Sequence, residues 1–282
     1  MHLLNKLAVA LSLALTMCGP NVSARADSPL AVRFTPGGND GIRIPRAVQD
    51  DFTLEYWLRT TQPDGGACST CRWYNYPGVI DAEVTNVTND FGTSLGRGRI
   101  LFGTGAPDVT IESGPVGDGL WHHVAAVRVR STGSLRLYVD GTLVASGTGG
   151  TQALNAPPAI AFGHLQTTAL YTMDGTLDEV RIWNRALGAQ EISDLVRACN
   201  VDPASSGLIG YYRFDEGPGT TVRDSSPSNL TGIVSGAPMW EVSTVTPSSF
   251  AWEALGDQLF GQHSIGALGV PEAARCVDGT TP

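Results

Sequence analysis

The sequence predicts an all-β protein, an antiparallel two-sheet β-sandwich with one short helix. Of the 282 residues, 34 are glycine and 17 are proline, and at that level without a repeating period they indicate many turns between short strands. Several segments alternate apolar and polar residues with a period of two, as expected of strands with one buried face. Only residues 189–198 have clear helical spacing. Regularly spaced strands with a single short helix are typical of a β-sandwich.

The strands follow in chain order from the alternating segments. In residues 52–59, Phe52, Leu54, Tyr56 and Leu58 lie on one predicted face. Similar alternation occurs at residues 124–130, 135–139, 180–182 and 208–214. Turn-forming sequences separate these segments at residues 36–38, 63–66, 117–119, 147–150 and 157–158.

The predicted helix, residues 189–198, has one apolar face. Ile192, Leu195 and Val196 share that face. Glu191 in the first turn and Arg197 in the last have the charges that the helix dipole favours.

The first 26 residues are predicted to be a signal peptide. Lys6 supplies the positive charge of the n-region, and the apolar stretch at residues 7–17 is too short to span a bilayer. Residues 24–26, Ala-Arg-Ala, match the pattern of a signal-peptide cleavage site. The protein is therefore expected to be secreted, periplasmic or on the cell surface. The alternative is a lipoprotein anchored at Cys18, although Met17 precedes that cysteine where a small residue is expected.

The charge balance argues against a nucleic-acid partner. Lys and Arg number 18 against 27 Asp and Glu, a net charge of −9. Nucleic-acid affinity comes from clustered Lys and Arg, so no nucleic-acid partner is expected. No segment after the signal peptide is long and apolar enough to predict a transmembrane helix.

Four cysteines remain after the signal peptide, and in an oxidising compartment they are expected to form disulfides. We predict the pairs Cys68–Cys71 and Cys199–Cys276, and the two other pairings stay open. The Cys-x-x-Cys spacing also occurs in redox and zinc motifs. However, no second such pair and no βαβ pattern accompanies it.

Five segments resemble, in order, the laminin-G-like or concanavalin A-like jelly-roll family. They are FTLEYW at 52–57, WHHVA at 121–125, LRLYVDG at 135–141, GTLDEVRIWNRAL at 175–187 and GLIGYYRFDEG at 207–217. The resemblance implies one jelly-roll domain over residues 27–242. Residues 243–282 lie beyond it and are interpreted as a linker and C-terminal tail.

The resemblance also implies a calcium site at the edge of the sandwich. TNDFG at residues 88–92 resembles the segment that holds the family's calcium aspartate, which places Asp90 on the ion. The second side-chain ligand maps to Asn155, and two backbone carbonyls map to Pro107 and Ala153. The alternative is that Asp90 and Asn155 only stabilise turns.

A second candidate site is the aromatic loop after Cys71. Trp73, Tyr74 and Tyr76 fall within four residues of one another, and exposing that much apolar surface points to a binding role. Aromatic faces suit the C–H face of a sugar ring, so these three residues are predicted ligand contacts. The alternative is that the rings pack beneath the loop and anchor it.

No catalytic residues are assigned. Asp81 and Glu83 are two apart on one predicted strand, the spacing that two glycosidase carboxylates on one face require. However, the Glu-x-Asp-x-x-Glu pattern of laminarinase-type enzymes on this fold is missing. Adjacent His122 and His123 are expected on opposite faces of a strand, which disfavours a shared metal.

These features predict a secreted, non-enzymatic module that binds a glycan or cell-surface ligand, with calcium as its cofactor. Two alternatives stay open. One is a carbohydrate-active hydrolase or lyase on the same fold, and the other is a structural or adhesive envelope module.

Overall fold

The computed structural model describes residues 29–198 and 201–245. That part of the chain contains eighteen strands, helix α1 (Ala189–Arg197) and two short 3-10 helices (Trp73–Asn75 and Arg130–Thr132). The strands are β1 (Leu30–Phe34), β2 (Gly41–Pro45), β3 (Phe52–Arg59), β4 (Gly78–Ala82), β5 (Phe91–Gly96), β6 (Arg99–Thr104), β7 (Val109–Pro115), β8 (Trp121–Val129), β9 (Ser134–Val139), β10 (Thr142–Thr148), β11 (Ala159–Phe162), β12 (His164–Leu165), β13 (Thr168–Thr172), β14 (Gly175–Trp183), β15 (Leu208–Tyr212), β16 (Thr221–Val222), β17 (Gly232–Ser235) and β18 (Met239–Val242). The predicted signal peptide with Cys18, the predicted Cys199–Cys276 pair and the tail from residue 246 lie outside the described residues.

Two antiparallel sheets form the sandwich, which confirms the predicted fold class. Sheet A has the strand order β10-β9-β8-β3-β14-β1-β18, and β15 pairs with the second half of β14. Sheet B has the order β16-β17-β2-β11-β4-β5-β6-β7. A small hairpin, β12–β13, forms a separate two-stranded sheet. At one edge of sheet A, β1 pairs with β18, so that Leu30 lies opposite Val242.

The core lies between the sheets and is built from the alternating faces. In β3 the residues Phe52, Leu54, Tyr56 and Leu58 are buried in this core, as the period-two pattern predicts. The Phe52 ring contacts the ring of Phe91 from sheet B, with 4.7 Å between centroids. The alternation therefore identifies the inward faces correctly.

Helix α1 covers part of the outer face of sheet A. It ends at Arg197, one residue before the predicted end, and the backbone N–H of Gly188 donates to Glu191 at its start (3.0 Å). Ile192 of the helix belongs to the same buried hydrophobic cluster as Trp183 and Tyr211 of the sheet. Among the described residues, no helix has the length and apolar character needed to cross a membrane.

The covered face of sheet A contains a buried ionic network around Glu55. Glu55 and His123 are fully buried, and His123 Nε2 lies 2.8 Å from Glu55 Oε1. Arg181 donates to the same carboxylate, and Trp183 Nε1 donates to Glu55 Oε2 (2.8 Å). This network fixes β3, β8 and β14 to one another on the side facing away from the main core.

Candidate functional site

A disulfide between Cys68 and Cys71, which the structure contains, closes the turn immediately before the aromatic loop. The backbone N–H of Cys68 donates to the carboxylate of Glu112 on β7 (3.1 Å). The Cys71 N–H donates to the Cys68 carbonyl (3.3 Å). The loop is thereby held against the edge of sheet B.

Trp73 is fully buried, which corrects the prediction that it contacts ligand. Its ring lies on the outer face of sheet B over two glycines that face each other across β5 and β6, Gly92 and Gly103. A Cβ at Gly103 would lie 2.0 Å from Trp73 Cδ1, and one at Gly92 would lie 2.7 Å from Trp73 Cζ3. The missing side chains create the space that the indole fills, so Trp73 anchors the loop.

Tyr76 is half-buried and also packs on a glycine. A Cβ at Gly96 would lie 2.5 Å from its ring, and its hydroxyl lies 2.9 Å from Cys71 Sγ. Tyr74 is half-buried and extends in another direction. Its ring meets Trp73 edge-on at 5.6 Å, and its hydroxyl lies 3.5 Å from Asp108 Oδ2. Of the three aromatic residues, Tyr74 is the one that reaches the predicted calcium loops.

Three loops meet at the edge of the sandwich where calcium is predicted. The first, residues 84–90, contains Asp90, whose backbone carbonyl accepts from the Gly105 N–H of the second loop, residues 105–108 (3.0 Å). In the third loop, residues 150–156, the Gln152 side chain donates to the Gly105 carbonyl (3.0 Å).

The third loop also contacts the first, because Asn89 Nδ2 donates to Asn155 Oδ1. Asn155 and Pro107 are exposed and Ala153 is half-buried. The structure thus brings the loops of all four predicted ligands together. We call the edge formed by Tyr74, Asp90, Asp108 and Asn155 the rim site.

Asp90 lies in an acidic and largely buried environment. One carboxylate oxygen accepts from the Val84 N–H (2.9 Å). Burial, together with the nearby charges of Glu83 and Asp108, raises the pKa of Asp90 to about 6. A bound cation would remove this cost by compensating the negative charge.

The rim site offers oxygen atoms of the kinds that Ca²⁺ accepts as ligands. Across residues 29–198 and 201–245, no three His, Cys, Asp or Glu side chains are grouped as metal ligands. One carboxylate would therefore be supplemented by amide and carbonyl oxygens, ligands that Ca²⁺ accepts. A Cβ at Gly105 would lie 2.0 Å from the Thr88 carbonyl oxygen and 2.8 Å from Asp90 Oδ1. These two oxygens therefore pack directly against Gly105, so a side chain at this position would collide with both.

Sequence reasoning missed Asp108 in the rim site and Asn89 beside it. Asp108 follows Pro107, and Asn89 precedes Asp90, so both are neighbours of predicted ligands. Their position next to a predicted ligand in the chain was the only feature of the sequence that could have indicated them. The contact between Asp108 and Tyr74 depends on the folded loops.

Asp81 and Glu83 do not form an exposed carboxylate pair. Asp81 is fully buried, and its Oδ1 accepts from the backbone N–H groups of Gln166 (2.7 Å) and Glu83 (3.1 Å). Burial raises the pKa of Asp81 to about 8. This carboxyl group holds the turn of the β12–β13 hairpin against β4, which is a structural role.

His122 and His123 lie on opposite faces of β8, as predicted. His123 belongs to the buried Glu55 network. His122 contacts Asp140 (Nδ1–Oδ2, 2.7 Å) and Asp118 (Nε2–Oδ1, 3.1 Å) at the surface. The hydrogen bond and charge of Asp140, with those of Asp118, raise the pKa of His122.

His122→Gln is expected to remove a pH-dependent part of the stability. Because the pKa of His122 is raised on folding, its contribution is complete below the unfolded pKa of about 6.5 and disappears as pH rises through the folded value. Both aspartates are half-exposed, so we expect less than about 1 kcal/mol. Urea unfolding at pH 5.5 and 8.5 checks this. A wild-type advantage that is equal at both pH values would contradict it.

Comparison with known proteins places this geometry in a family. A family model described as the Concanavalin A-like lectin/glucanases superfamily matches residues 36–193. The Sushi, von Willebrand factor type A, EGF and pentraxin domain-containing protein 1 of Rattus norvegicus is 26% identical over 151 residues, which cover 51% of this chain and 4% of that protein. The Mus musculus protein of the same name is 25% identical over 140 residues, 47% of this chain and 4% of that protein. The chain thus spans only a small part of these curated relatives.

Solved structures show the same fold. A putative carbohydrate binding protein from Bacteroides ovatus superposes with a TM-score of 0.60 at 19% identity, covering 79% of this chain and 62% of that chain. The native heptameric SAP-like pentraxin from Limulus polyphemus superposes with a TM-score of 0.52 at 14% identity, covering 78% of this chain and 98% of that chain. The family match spans more than half of the sequence, and the two-sheet sandwich agrees with it. The chain therefore belongs to the Concanavalin A-like lectin/glucanases superfamily, with the laminin-G-like features that its sequence motifs indicate.

Proposed function

We propose that this chain is a secreted binding module that holds a glycan or cell-surface ligand at the rim site, supported by calcium. The contact between Tyr74 and Asp108 (3.5 Å) carries this proposal. It joins two features that were predicted separately, the aromatic loop and the calcium loops. The Bacteroides ovatus structure with the same fold is described as a putative carbohydrate binding protein, which favours a glycan among the ligands considered.

The chemistry of the rim site suits a sugar. The half-buried ring of Tyr74 offers an apolar surface, while Asp108 and Asn155 offer exposed hydrogen-bonding groups. A sugar presents C–H bonds on one face and hydroxyls at its edge, so it can use both kinds of contact. Calcium held by Asp90, Asn155 and the carbonyls of Pro107 and Ala153 would add positive charge for ligand oxygens. Asn155 would then exchange its hydrogen bond from Asn89 for the ion.

Calcium is expected to stabilise the folded protein through Asp90. With a dissociation constant of about 0.1–1 mM, 10 mM calcium adds roughly 1.4–2.7 kcal/mol, a rise in melting temperature of about 3–10 °C. Magnesium should add much less, because it releases its waters reluctantly. The measurement is thermal melting in EDTA, calcium and magnesium.

Asp90→Asn is the matched variant for that measurement, because it removes the charge and keeps the shape. It should abolish the calcium shift, whereas Asp194→Asn on the exposed side of α1 should retain it. An identical wild-type melting temperature in EDTA and calcium would disprove the calcium proposal. If calcium raised the melting temperature of Asp90→Asn as much as that of wild type, the ion would bind elsewhere.

Glycan binding is expected to depend on Tyr74. A glycan array with and without calcium identifies ligands, and titration then compares variants. Tyr74→Ala should weaken binding about tenfold, since aromatic side chains dominate the energy of such contacts. Tyr74→Phe keeps the ring and separates stacking from the hydroxyl contact. Tyr171→Ala removes an exposed tyrosine elsewhere and is the control.

The array also separates the proposal from its alternatives. Absence of saturable binding to any glycan or cell-surface preparation would favour a structural or adhesive module. Cleavage of a bound glycan over time, detected as new reducing ends or unsaturated products, would favour a hydrolase or lyase.

A further inference from the structure

A groove of about 620 Å³ runs along the outer face of sheet B, beside the rim site. Its walls come from β2, β11, β17 and the β12–β13 hairpin, and its lining includes Arg43, Pro45, His164, Thr167, Ile233 and Ser235. Arg43 lies at its centre, because it pairs with Ile233 on one side and Ala161 on the other.

The groove connects to the rim site at one end. The hydroxyl of Thr167, which lines the groove, donates to Glu83, and the charge of Glu83 raises the pKa of Asp90. On the other wall, Arg46 follows Pro45 and donates to the Asn155 carbonyl. A ligand longer than one sugar unit could therefore contact both surfaces.

Arg43 is exposed in this groove without a protein partner in the part of the chain that the structure describes. Several arginines pair with acids, as Arg59 does with Glu241 (2.6 Å) and Arg99 with Asp64 (2.8 Å). The chain has 27 acidic residues against 18 basic ones, and none of the described acids pairs with Arg43. Its five donors in a planar fork match a carboxylate.

His164 adds an acceptor to the same groove. Its Nδ1 contacts the Leu165 carbonyl, so Nδ1 carries the proton and Nε2 is the acceptor in the neutral ring. Burial, with the nearby charge of Arg43, lowers the pKa of His164 and favours the neutral form. The ring is 7% exposed and packs on Gly41, where a Cβ would lie 1.8 Å from its Cδ2 and 2.2 Å from its Nε2, so its position is fixed by packing.

The remaining lining combines apolar surface with hydroxyl groups. Ile233 is 58% exposed, and Pro45 and Ala159 continue this apolar surface. Thr231 and Ser235 supply hydroxyl groups beside it. Such a surface fits the C–H face of a sugar and its edge hydroxyls at the same time.

We infer that the groove binds an acidic oligosaccharide, with Arg43 paired to a uronic acid carboxylate and His164 accepting from a neighbouring sugar hydroxyl. The inference rests on the proposed glycan-binding function and specifies its ligand class. It adds a second contact surface to the rim site. Binding should be salt-dependent, because the carboxylate pairs with an exposed charge.

The test uses one sugar backbone with and without its charge. Oligogalacturonate and its methyl ester are titrated into the full protein by calorimetry, with a sulfated oligosaccharide as a third ligand. Wild type should prefer oligogalacturonate to its ester by about twofold to fivefold, the strength expected of an ion pair at an exposed guanidinium. Arg43→Gln should remove that preference. Arg197→Gln, which changes the net charge equally but lies on α1, should keep it.

The outcomes separate this inference from the proposed function. If binding depended on Tyr74 but oligogalacturonate and its ester bound with equal affinity, the role of Arg43 would be wrong. The proposed binding at the rim site would still stand. If Arg43→Gln and Arg197→Gln reduced the preference for oligogalacturonate equally, the preference would come from general charge attraction. That result would also overturn the role of Arg43. Stronger binding of the sulfated ligand than of oligogalacturonate would overturn the assignment to a uronic acid. No binding of any glycan would overturn this inference and the glycan part of the proposed function.

Discussion

Glu55→Gln is expected to lower the free energy of unfolding by about 3–5 kcal/mol, because it leaves a buried arginine without its charge partner. Glu55 and Arg181 are buried on the outer face of sheet A, where Arg181, His123 and Trp183 all donate to this one carboxylate. For a domain of this size the melting temperature should fall by roughly 6–20 °C. Urea unfolding and thermal melting measure both quantities.

The pH dependence provides an independent check on Glu55. Burial alone would raise its pKa, but the charge of Arg181 and the hydrogen bonds from His123 and Trp183 outweigh this and lower the pKa to about 2. A depressed folded pKa gives stability that is complete above the unfolded value of about 4.5 and is lost as pH falls toward 2. The advantage of wild type over Glu55→Gln should therefore shrink between pH 5 and pH 2.

Glu241→Gln is the matched control. Glu241 pairs with Arg59 at 2.6 Å, but both side chains are about one-third exposed (34% and 29%). Such a pair should contribute less than about 1 kcal/mol. If the two variants lose equal stability, the buried network has no special role in holding β3, β8 and β14 together.

The fold was predictable from the sequence because the alternation in its strands is local. Phe52, Leu54, Tyr56 and Leu58 reveal their shared face within eight residues, and the structure places them in the core. The outward face of the same strand was not predictable in this way. Glu55 faces away from that core, yet helix α1, more than 130 residues later, belongs to the layer that covers this side of the sheet. Its burial depends on tertiary contacts that a local pattern does not contain.

The candidate site shows the same division between local and distant information. The resemblance located Asp90 and Asn155, and the structure brings their loops together through Asn89. The position of Trp73 depended on the pairing of Gly92 with Gly103, which is set by the register of β5 and β6. A glycine in the sequence does not reveal which distant ring will lie over it. The three aromatic residues were therefore grouped as ligand contacts, although one of them is an anchor.

Trp73→Ala is expected to lower the free energy of unfolding by about 3–5 kcal/mol, the usual cost of deleting a large buried ring. The indole is fully buried over Gly92 and Gly103, and the 3-10 helix it begins places Tyr74 toward the rim site. The melting temperature should fall by roughly 6–20 °C. Tyr74→Ala removes a half-buried ring from the same loop and should cost clearly less.

Gly92→Ala tests whether the indole itself fills the space over the sheet. Its new Cβ would lie 2.7 Å from Trp73 Cζ3 and 2.8 Å from Asp81 Oδ2, an overpacking that costs about 1–3 kcal/mol. Because the contact with the indole is absent in Trp73→Ala, the same substitution should cost less in that background, and a double-mutant cycle measures the difference. Additive costs would show that the ring does not press on Gly92. If Trp73→Ala kept the wild-type melting temperature and lost ligand binding, the ring would be a ligand contact after all. The anchoring role would then be wrong, because a buried anchor cannot be deleted without loss of stability.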